Sequence, residues 1–184
     1  MAQAPQNHTT LRLNELSVRH PTAFGLAPDA QARDRIASDL GLVDLRKLSF
    51  SGTITAEGPH DWRLEATLGA SVVQSCVVTL APVTTRIDTV VTRRFLADMP
   101  DPDPAEEIEM PEDASAEPLT DPIDLERVMI EALALSLPDY PRADGATLGT
   151  AVYAAPGVAP LREEETRPFA GLADLKARLK GDEK

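Results

Sequence analysis

Alternating apolar and polar positions predict a β-sheet in the first half of the chain. Residues 48–56 and 61–68 place apolar side chains on one face and polar ones on the other, which is the period of a strand with one buried side. Residues 71–80 carry valines in both phases after a break at Gly69, and residues 83–96 alternate again. Because the turns between these runs are short, we expect four neighbouring strands in an antiparallel meander.

A period of about four residues predicts helices on either side of this sheet. In residues 30–41, Ala32, Ile36 and Leu40 recur at every fourth position before Gly41, as in a short amphipathic helix. A second short helix, rich in leucine, is predicted near the C-terminus over residues 163–180.

The longest helix is predicted within residues 121–141. Asp121 is a suitable N-cap, Pro122 suits the first helical position, and Asp124 places negative charge in the first turn, where the helix dipole favours it. Pro138 ends the helix. Its apolar ridge consists of Leu125, Met129, Leu133 and Leu137, with Ile130 and Ala134 beside it. We therefore expect this helix to pack over the sheet.

These elements predict an α+β fold. The sheet is expected to be an antiparallel β-sheet or a partly closed barrel of about four to six strands, because alternation is the same in both. One long helix packs on it, and short helices lie near both termini. The predicted segments are residues 1–97 (N-terminal segment and meander), 98–120 (acidic, proline-rich loop), 121–141 (packing helix of the same domain) and 142–184 (linker and C-terminal helix).

Negative charge is concentrated in one stretch of the sequence. The chain has 18 Lys and Arg against 30 Asp and Glu, a formal net charge of -12, and residues 98–126 hold twelve of the acidic residues and no Lys or Arg. Since like charges repel and proline lacks an amide donor, we predict an extended, solvated loop. The loop either keeps the protein soluble or mimics polyphosphate and binds a basic protein surface. The candidate partner-binding residues are Asp101, Asp103, Glu106, Glu107 and Glu109.

Arginines on the fourth predicted strand form a second candidate site. Arg86, Arg93 and Arg94 lie on or beside it, and Arg63 approaches them across the sheet, so that they would contact RNA phosphates. The alternative is that they pair with Asp61, Glu65 and Asp88 of the same sheet, as cross-strand charges do. Only 4% of the residues are aromatic, which disfavours sequence-specific reading of stacked bases.

The sequence contains no motif typical of catalysis or of metal binding. Cys76 is the single cysteine, which excludes an intramolecular disulfide, and in a valine-rich strand it is expected to be a small buried residue. We therefore predict a protein that is not an enzyme and that carries no cofactor and no catalytic or metal-binding residue. No apolar run is long enough to span a membrane, and the first residues do not resemble a signal peptide, so we expect a cytoplasmic protein.

Four motifs in order resemble one known family. They are residues 75–83 (SCVVTLAPV), the acidic insertion, the helix from residue 124 to the Leu-Pro pair at 137–138, and residues 167–172 (RPFAGL). In order and spacing they are similar to the YceD family of bacterial and plastid proteins, described as large ribosomal RNA subunit accumulation proteins. The resemblance extends over about residues 45 to 180.

This resemblance implies a cytoplasmic, non-enzymatic factor in ribosome biogenesis. Its expected partner is a large ribosomal subunit precursor, a ribosomal protein or rRNA, and neither a membrane nor DNA. Many family members carry cysteines after the Leu-Pro pair, whereas residues 139–145 contain none here, so no metal is expected there. Three hypotheses follow: binding of a basic ribosomal protein through the sheet and the acidic loop, direct RNA binding through the arginine face, and an RNA-processing enzyme that uses Cys76 or acidic residues.

Overall fold

The computed structural model describes residues 9–99, 115–149, 154–155 and 157–158. The chain forms two compact units, Met1–Asp144 and Gly145–Lys184, and every helix and strand reported below belongs to the first. The predicted C-terminal helix lies outside the described residues.

A five-stranded mixed sheet is the main element of the first unit. Its strands are β2 (Thr22–Leu26), β3 (Asp44–Glu57), β4 (Asp61–Ser75), β5 (Pro82–Leu96) and β6 (Ala116–Pro118). They lie in the order β2-β3-β4-β5-β6. The first three pairs are antiparallel, whereas β6 runs parallel to β5. The prediction of an all-antiparallel sheet is therefore wrong, and the sheet has two edges and is not a closed barrel.

The described part of this unit also contains two α-helices and a small two-stranded ladder. The ladder pairs β1 (Thr10–Leu11) with β7 (Ile123–Asp124), and a short 3-10 helix at Leu13–Glu15 follows β1. Helix α1 (Ala30–Asp39) confirms the predicted N-terminal helix, and α2 (Leu125–Ser136) is the long packing helix.

The core lies between one face of the sheet and α2. Each of the three long strands contributes alternate apolar side chains to this face, and α2 buries positions separated by three and four residues, the stripe expected for a helix packed on a sheet. The largest side chains with almost no exposed surface include Phe24, Phe50, Leu64, Leu68, Met129 and Leu133. The predicted strand faces around residues 48–56 and 61–68 are thereby confirmed.

The predicted break at Gly69 is wrong. Strand β4 continues from Asp61 to Ser75, so the second and third predicted strands are one. Gly69 lies on the outer face of the sheet, where a Cβ atom would lie only 2.8 Å from the Arg86 guanidinium. The glycine thus makes room for a neighbouring side chain and does not form a turn.

Helix α2 begins three residues later than predicted. Asp124, not Asp121, is the N-cap, and its carboxylate accepts a hydrogen bond from the amide of Arg127. The cause is the β1–β7 ladder, in which Ile123 pairs with Leu11 and keeps the backbone extended. Asp121 instead accepts a hydrogen bond from the amide of Leu13.

Candidate functional site

Two of the three candidate arginines lie on one face of β5 and the third lies on the other. Cross-strand pairs place Arg94 opposite Arg63 and Arg93 opposite the buried Leu64. Because side chains alternate along a strand, Arg86 and Arg94 are on the outer face, whereas Arg93 is on the face that carries the core. The structure therefore does not bring the three together in one patch.

Arg93 belongs to a partly buried charge cluster between the sheet and α2. Its Nη2 atom lies 2.8 Å from Glu131 Oε1, and its Nε atom lies 3.8 Å from Glu117 Oε1. Arg127 contacts the other oxygen of Glu117 at 2.8 Å. Burial, reinforced by the charge of Glu131, raises the pKa of Glu117 despite both arginines. The cluster links β5, β6 and α2.

Arg94 and Arg63 share one carboxylate on the outer face. Both are 2.9 Å from Glu57, Arg94 at Oε2 and Arg63 at Oε1. Hydrogen bonds from Arg94 and then Arg63 lower the pKa of Glu57, which is ionised at neutral pH. Two of the predicted internal pairs are present: Arg63–Glu65 at 3.7 Å and Arg86–Asp88 as a bidentate contact. The Asp61 carboxylate instead accepts a hydrogen bond from the backbone amide of Ala97.

A basic cleft lies at the opposite end of β5 from Arg94. It has a volume of about 650 Å³, and its polar lining consists of Arg33, Arg46, Lys47, Ser49, Ser71 and Arg86. Of these six, only Arg86 was a candidate from the sequence. The basic cleft is the space between these six residues.

A β-bulge directs two consecutive cations into the basic cleft. Leu45 pairs with Val72 and Lys47 with Ser71, so Arg46 is an extra residue in β3. A bulge interrupts alternation and re-aims a side chain, and both Arg46 and Lys47 are exposed and line the cleft. The available sequence signal was the spacing of buried Leu45 and Leu48, which breaks the two-residue period.

Three described acidic residues of the acidic stretch have structural partners. Glu117 lies in the charge cluster beneath Arg93, Asp121 binds the amide of Leu13, and Asp124 caps α2. The part of the stretch around β6 is also bonded to β5, because Arg94 donates its amide to the Ser115 carbonyl and the Leu119 amide donates to the Leu96 carbonyl. The predicted partner-binding residues Asp101, Asp103, Glu106, Glu107 and Glu109 lie outside the described residues.

Cys76 is buried in the turn that follows β4, not within a strand. Its Sγ atom accepts backbone N–H groups from Val78 at 3.4 Å, Thr79 at 3.4 Å and Ala143 at 3.3 Å. Hydrogen bonds from the Thr79 side chain and then from the Ala143 amide lower the pKa of Cys76 to about 6. The Cys76 sulfur is therefore a hydrogen-bond acceptor that stabilises the turn, in addition to being buried as the sequence predicted.

Residues 137–143 lie against this same turn. Gln74 donates a side-chain hydrogen bond to the Pro138 carbonyl at 3.2 Å, and Val77 donates its amide to the Pro141 carbonyl at 2.9 Å. Within the described part of the chain, no group of three or more His, Cys, Asp or Glu residues is placed to hold a metal ion. Nor does that part contain a helix that is long and apolar enough to cross a membrane.

Comparison with known proteins identifies the family. A family model described as large ribosomal RNA subunit accumulation protein YceD matches residues 64–176, a stretch from near the start of β4 to near the C-terminus. No curated protein and no solved structure matches the chain. Because the family model covers more than half of the sequence, the chain belongs to the YceD family.

Proposed function

We propose that this protein is a cytoplasmic ribosome biogenesis factor that supports accumulation of large-subunit ribosomal RNA by binding a basic ribosomal protein or a precursor particle. The family match over residues 64–176 supports the biological process. The separation of charge supports the mode of binding, because twelve acidic residues within 98–126 account for the whole formal net charge of -12. A concentration of negative charge attracts basic proteins and repels RNA phosphates from the acidic stretch itself.

The proposed contact residues are Asp101, Asp103, Glu106, Glu107 and Glu109. Three other acidic residues of the stretch are used within the fold: Glu117 contacts two arginines, and Asp121 and Asp124 accept hydrogen bonds from backbone amides. The segment follows directly on the end of β5, and the chain after it is hydrogen-bonded to β5 through Ser115 and Leu119, so a partner bound by these residues would be attached to this end of the sheet. The proposal assigns the protein no catalytic step.

The test is a quintuple substitution of these five residues by Asn and Gln. A tagged chain purified from growing cells should lose ribosomal proteins that otherwise stay bound after RNase treatment, and large-subunit rRNA should fall in cells that depend on this variant. A matched control with the same charge change replaces five exposed residues outside the segment, Glu15, Asp34, Asp39, Asp139 and Asp144. The proposal is wrong if the two variants behave alike.

Direct RNA binding through Arg86, Arg93 and Arg94 is less favoured by this geometry. Each of the three is within 3 Å of a carboxylate oxygen, and Arg93 is on the other face from the remaining two. A ligand phosphate would have to displace these internal partners at every position.

A further inference from the structure

The geometry points to a phosphate-binding site in the basic cleft that holds the backbone of an RNA strand. This inference goes beyond the proposed protein contact and uses other residues. It rests on four cations that come from three elements of the fold: Arg33 from α1, Arg46 and Lys47 from β3, and Arg86 from β5.

Two of these cations have no carboxylate partner among the described residues. Arg33 is held by backbone carbonyls, with Nε 3.1 Å from the Leu45 oxygen and Nη1 2.8 Å from the Pro28 oxygen. These bonds orient the guanidinium without neutralising its charge, and they leave further N–H donors for a ligand. Lys47 forms no ion pair within the described part of the chain and is exposed. The cleft thus offers uncompensated positive charge in an otherwise acidic protein.

The other two cations are paired in ways that leave them accessible. Arg46 Nε lies 3.4 Å from Asp44, and both side chains are about half exposed, at 58% and 48%. Such a pair contributes little in water and gives way to a better anion. Arg86 is fixed by Asp88, and its guanidinium lies over Gly69. Its guanidinium is therefore positioned, although part of its charge is balanced.

Cross-strand register brings these groups side by side. Lys47 pairs with Ser71, and Ser71 pairs with Arg86, so cation, hydroxyl and cation form a row over three strands that spans about 10 Å. Ser49 follows in the next row, opposite Gly69. Hydroxyls and cations together are the groups that contact phosphate oxygens in nucleic-acid complexes.

The shape of the cleft favours a strand backbone over a free nucleotide. At about 650 Å³ it exceeds what one phosphate would fill, and none of the described residues that line it is aromatic. Small-molecule sites are lined mainly by apolar and aromatic groups, whereas backbone recognition requires only spaced cations. We therefore expect binding without sequence preference.

Fluorescence anisotropy of the full chain with a labelled single-stranded RNA of about 12 nucleotides tests the inference. The double variant Arg46→Ala/Lys47→Ala should weaken RNA binding on the order of tenfold. The slope of log K against log salt concentration should become shallower by about 1.4, since each lost phosphate contact removes about 0.7 from the slope. The matched control is Arg12→Ala/Arg19→Ala, which removes two exposed arginines outside the cleft. Unchanged thermal unfolding verifies that both variants are folded.

Each remaining outcome contradicts the inference. Equal losses in both double variants would mean that only net charge matters. Binding of inorganic pyrophosphate in the cleft, seen as shifts of the Ser49 and Ser71 amides in NMR spectra, without any RNA binding would identify a free-phosphate site. No binding of either probe would leave the cleft without the proposed ligand. The acidic-segment variant should retain RNA binding, so the two proposals fail independently.

Discussion

At the scale of single residues, Cys76 connects two distant parts of the chain. Its sulfur accepts hydrogen bonds from the backbone amides of Val78 and Thr79 and also from the amide of Ala143. Donors of this kind stabilise a thiolate more than a thiol. The residue therefore stabilises the fold through its charge state as well as through burial.

We predict that Cys76→Ser lowers stability by an amount that grows with pH. The folded-state pKa of about 6 lies below the ordinary value of 9.0, so unfolding takes up a proton between these values. The stabilisation by the thiolate is complete above about pH 9 and is lost as the pH falls through about 6. The difference between the guanidinium unfolding midpoints of the wild type and the variant, measured in reductant at about pH 5, 7 and 9, should increase with pH. A gap that stays constant with pH would contradict the prediction.

Burial of Cys76 was predictable, whereas its hydrogen bonds were not. The valines around it indicate an apolar setting, and the structure confirms the burial. The Ala143 donor is separated from it by 67 positions, and no local pattern specifies such a contact. Likewise, the four-residue period predicts only that Arg33 lies on the polar side of a helix. Its place in the same cleft as Lys47 depends on the tertiary fold.

At the scale of elements, the charge cluster around Glu117 connects the short strand β6 to α2. Glu117 and Arg93 each expose less than a fifth of their side chains, at 19% and 18%. The Oε1 atom of Glu117 is buried and has no hydrogen-bond partner among the described residues. Burying an ionised carboxylate with incomplete hydrogen bonding costs free energy, so the attachment of β6 includes a destabilising contribution.

We predict that Glu117→Gln raises the free energy of unfolding at neutral pH by up to about 1 kcal/mol. The pKa of Glu117 is raised in the folded state, so the protonated form favours folding and wild-type stability falls as the pH rises through this pKa. Arg93 keeps its contact with Glu131, and Arg127 can bond the amide oxygen. Urea titrations at about pH 4 and 7 should show the gain only at the higher value.

The control for this prediction is Glu131→Gln on the same cluster. Glu131 is 46% exposed, so its charge is solvated and its loss should weaken the Arg93 contact without relieving burial. If Glu117→Gln is less stable than the wild type at neutral pH, the arginine contacts outweigh the cost of burial.

Elements with long, regular periods were predictable, and those made by tertiary contacts were not. Strands β3 and β5 and helix α2 follow from the spacing of their apolar residues. Strand β6 has only three residues, Ala-Glu-Pro, without alternation, and it is a strand because Arg94 and Leu96 bond its flanks. The bulge at Arg46 also depends on pairing with β4.

At the scale of the whole molecule, opposite charges are attached to opposite ends of one strand. Arg86 lines the basic cleft, and the amide of Arg94 donates a hydrogen bond to Ser115 next to the acidic segment. The two arginines are eight residues apart on β5, which corresponds to about 27 Å at 3.4 Å per residue. A precursor of the ribosome presents both basic proteins and RNA phosphates. The basic cleft and the end of β5 to which the acidic segment is attached are thus far enough apart for the protein to contact two different components of such a particle.

We predict that a chain ending at Asp144 folds with a melting temperature within a few degrees of the full-length protein. Among the residues that the structure describes, the members of the buried core lie between Leu11 and Leu133, and the first compact unit ends at Asp144, so we expect truncation there to keep the apolar burial of this core. Calorimetry of the two proteins provides the measurement.

A second truncation, after Ser136, makes this prediction specific. It removes the carbonyls of Pro138 and Pro141 that accept from Gln74 and Val77, and the Ala143 amide that binds Cys76. Because buried Cys76, half-buried Gln74 and the amide of Val77 then lose these partners, we expect a loss of about 2 to 4 kcal/mol, well beyond that of the longer chain. If the chain ending at Asp144 is destabilised as much as the shorter one, residues after 144 contribute to the stability of the first unit, and its boundary lies further towards the C-terminus.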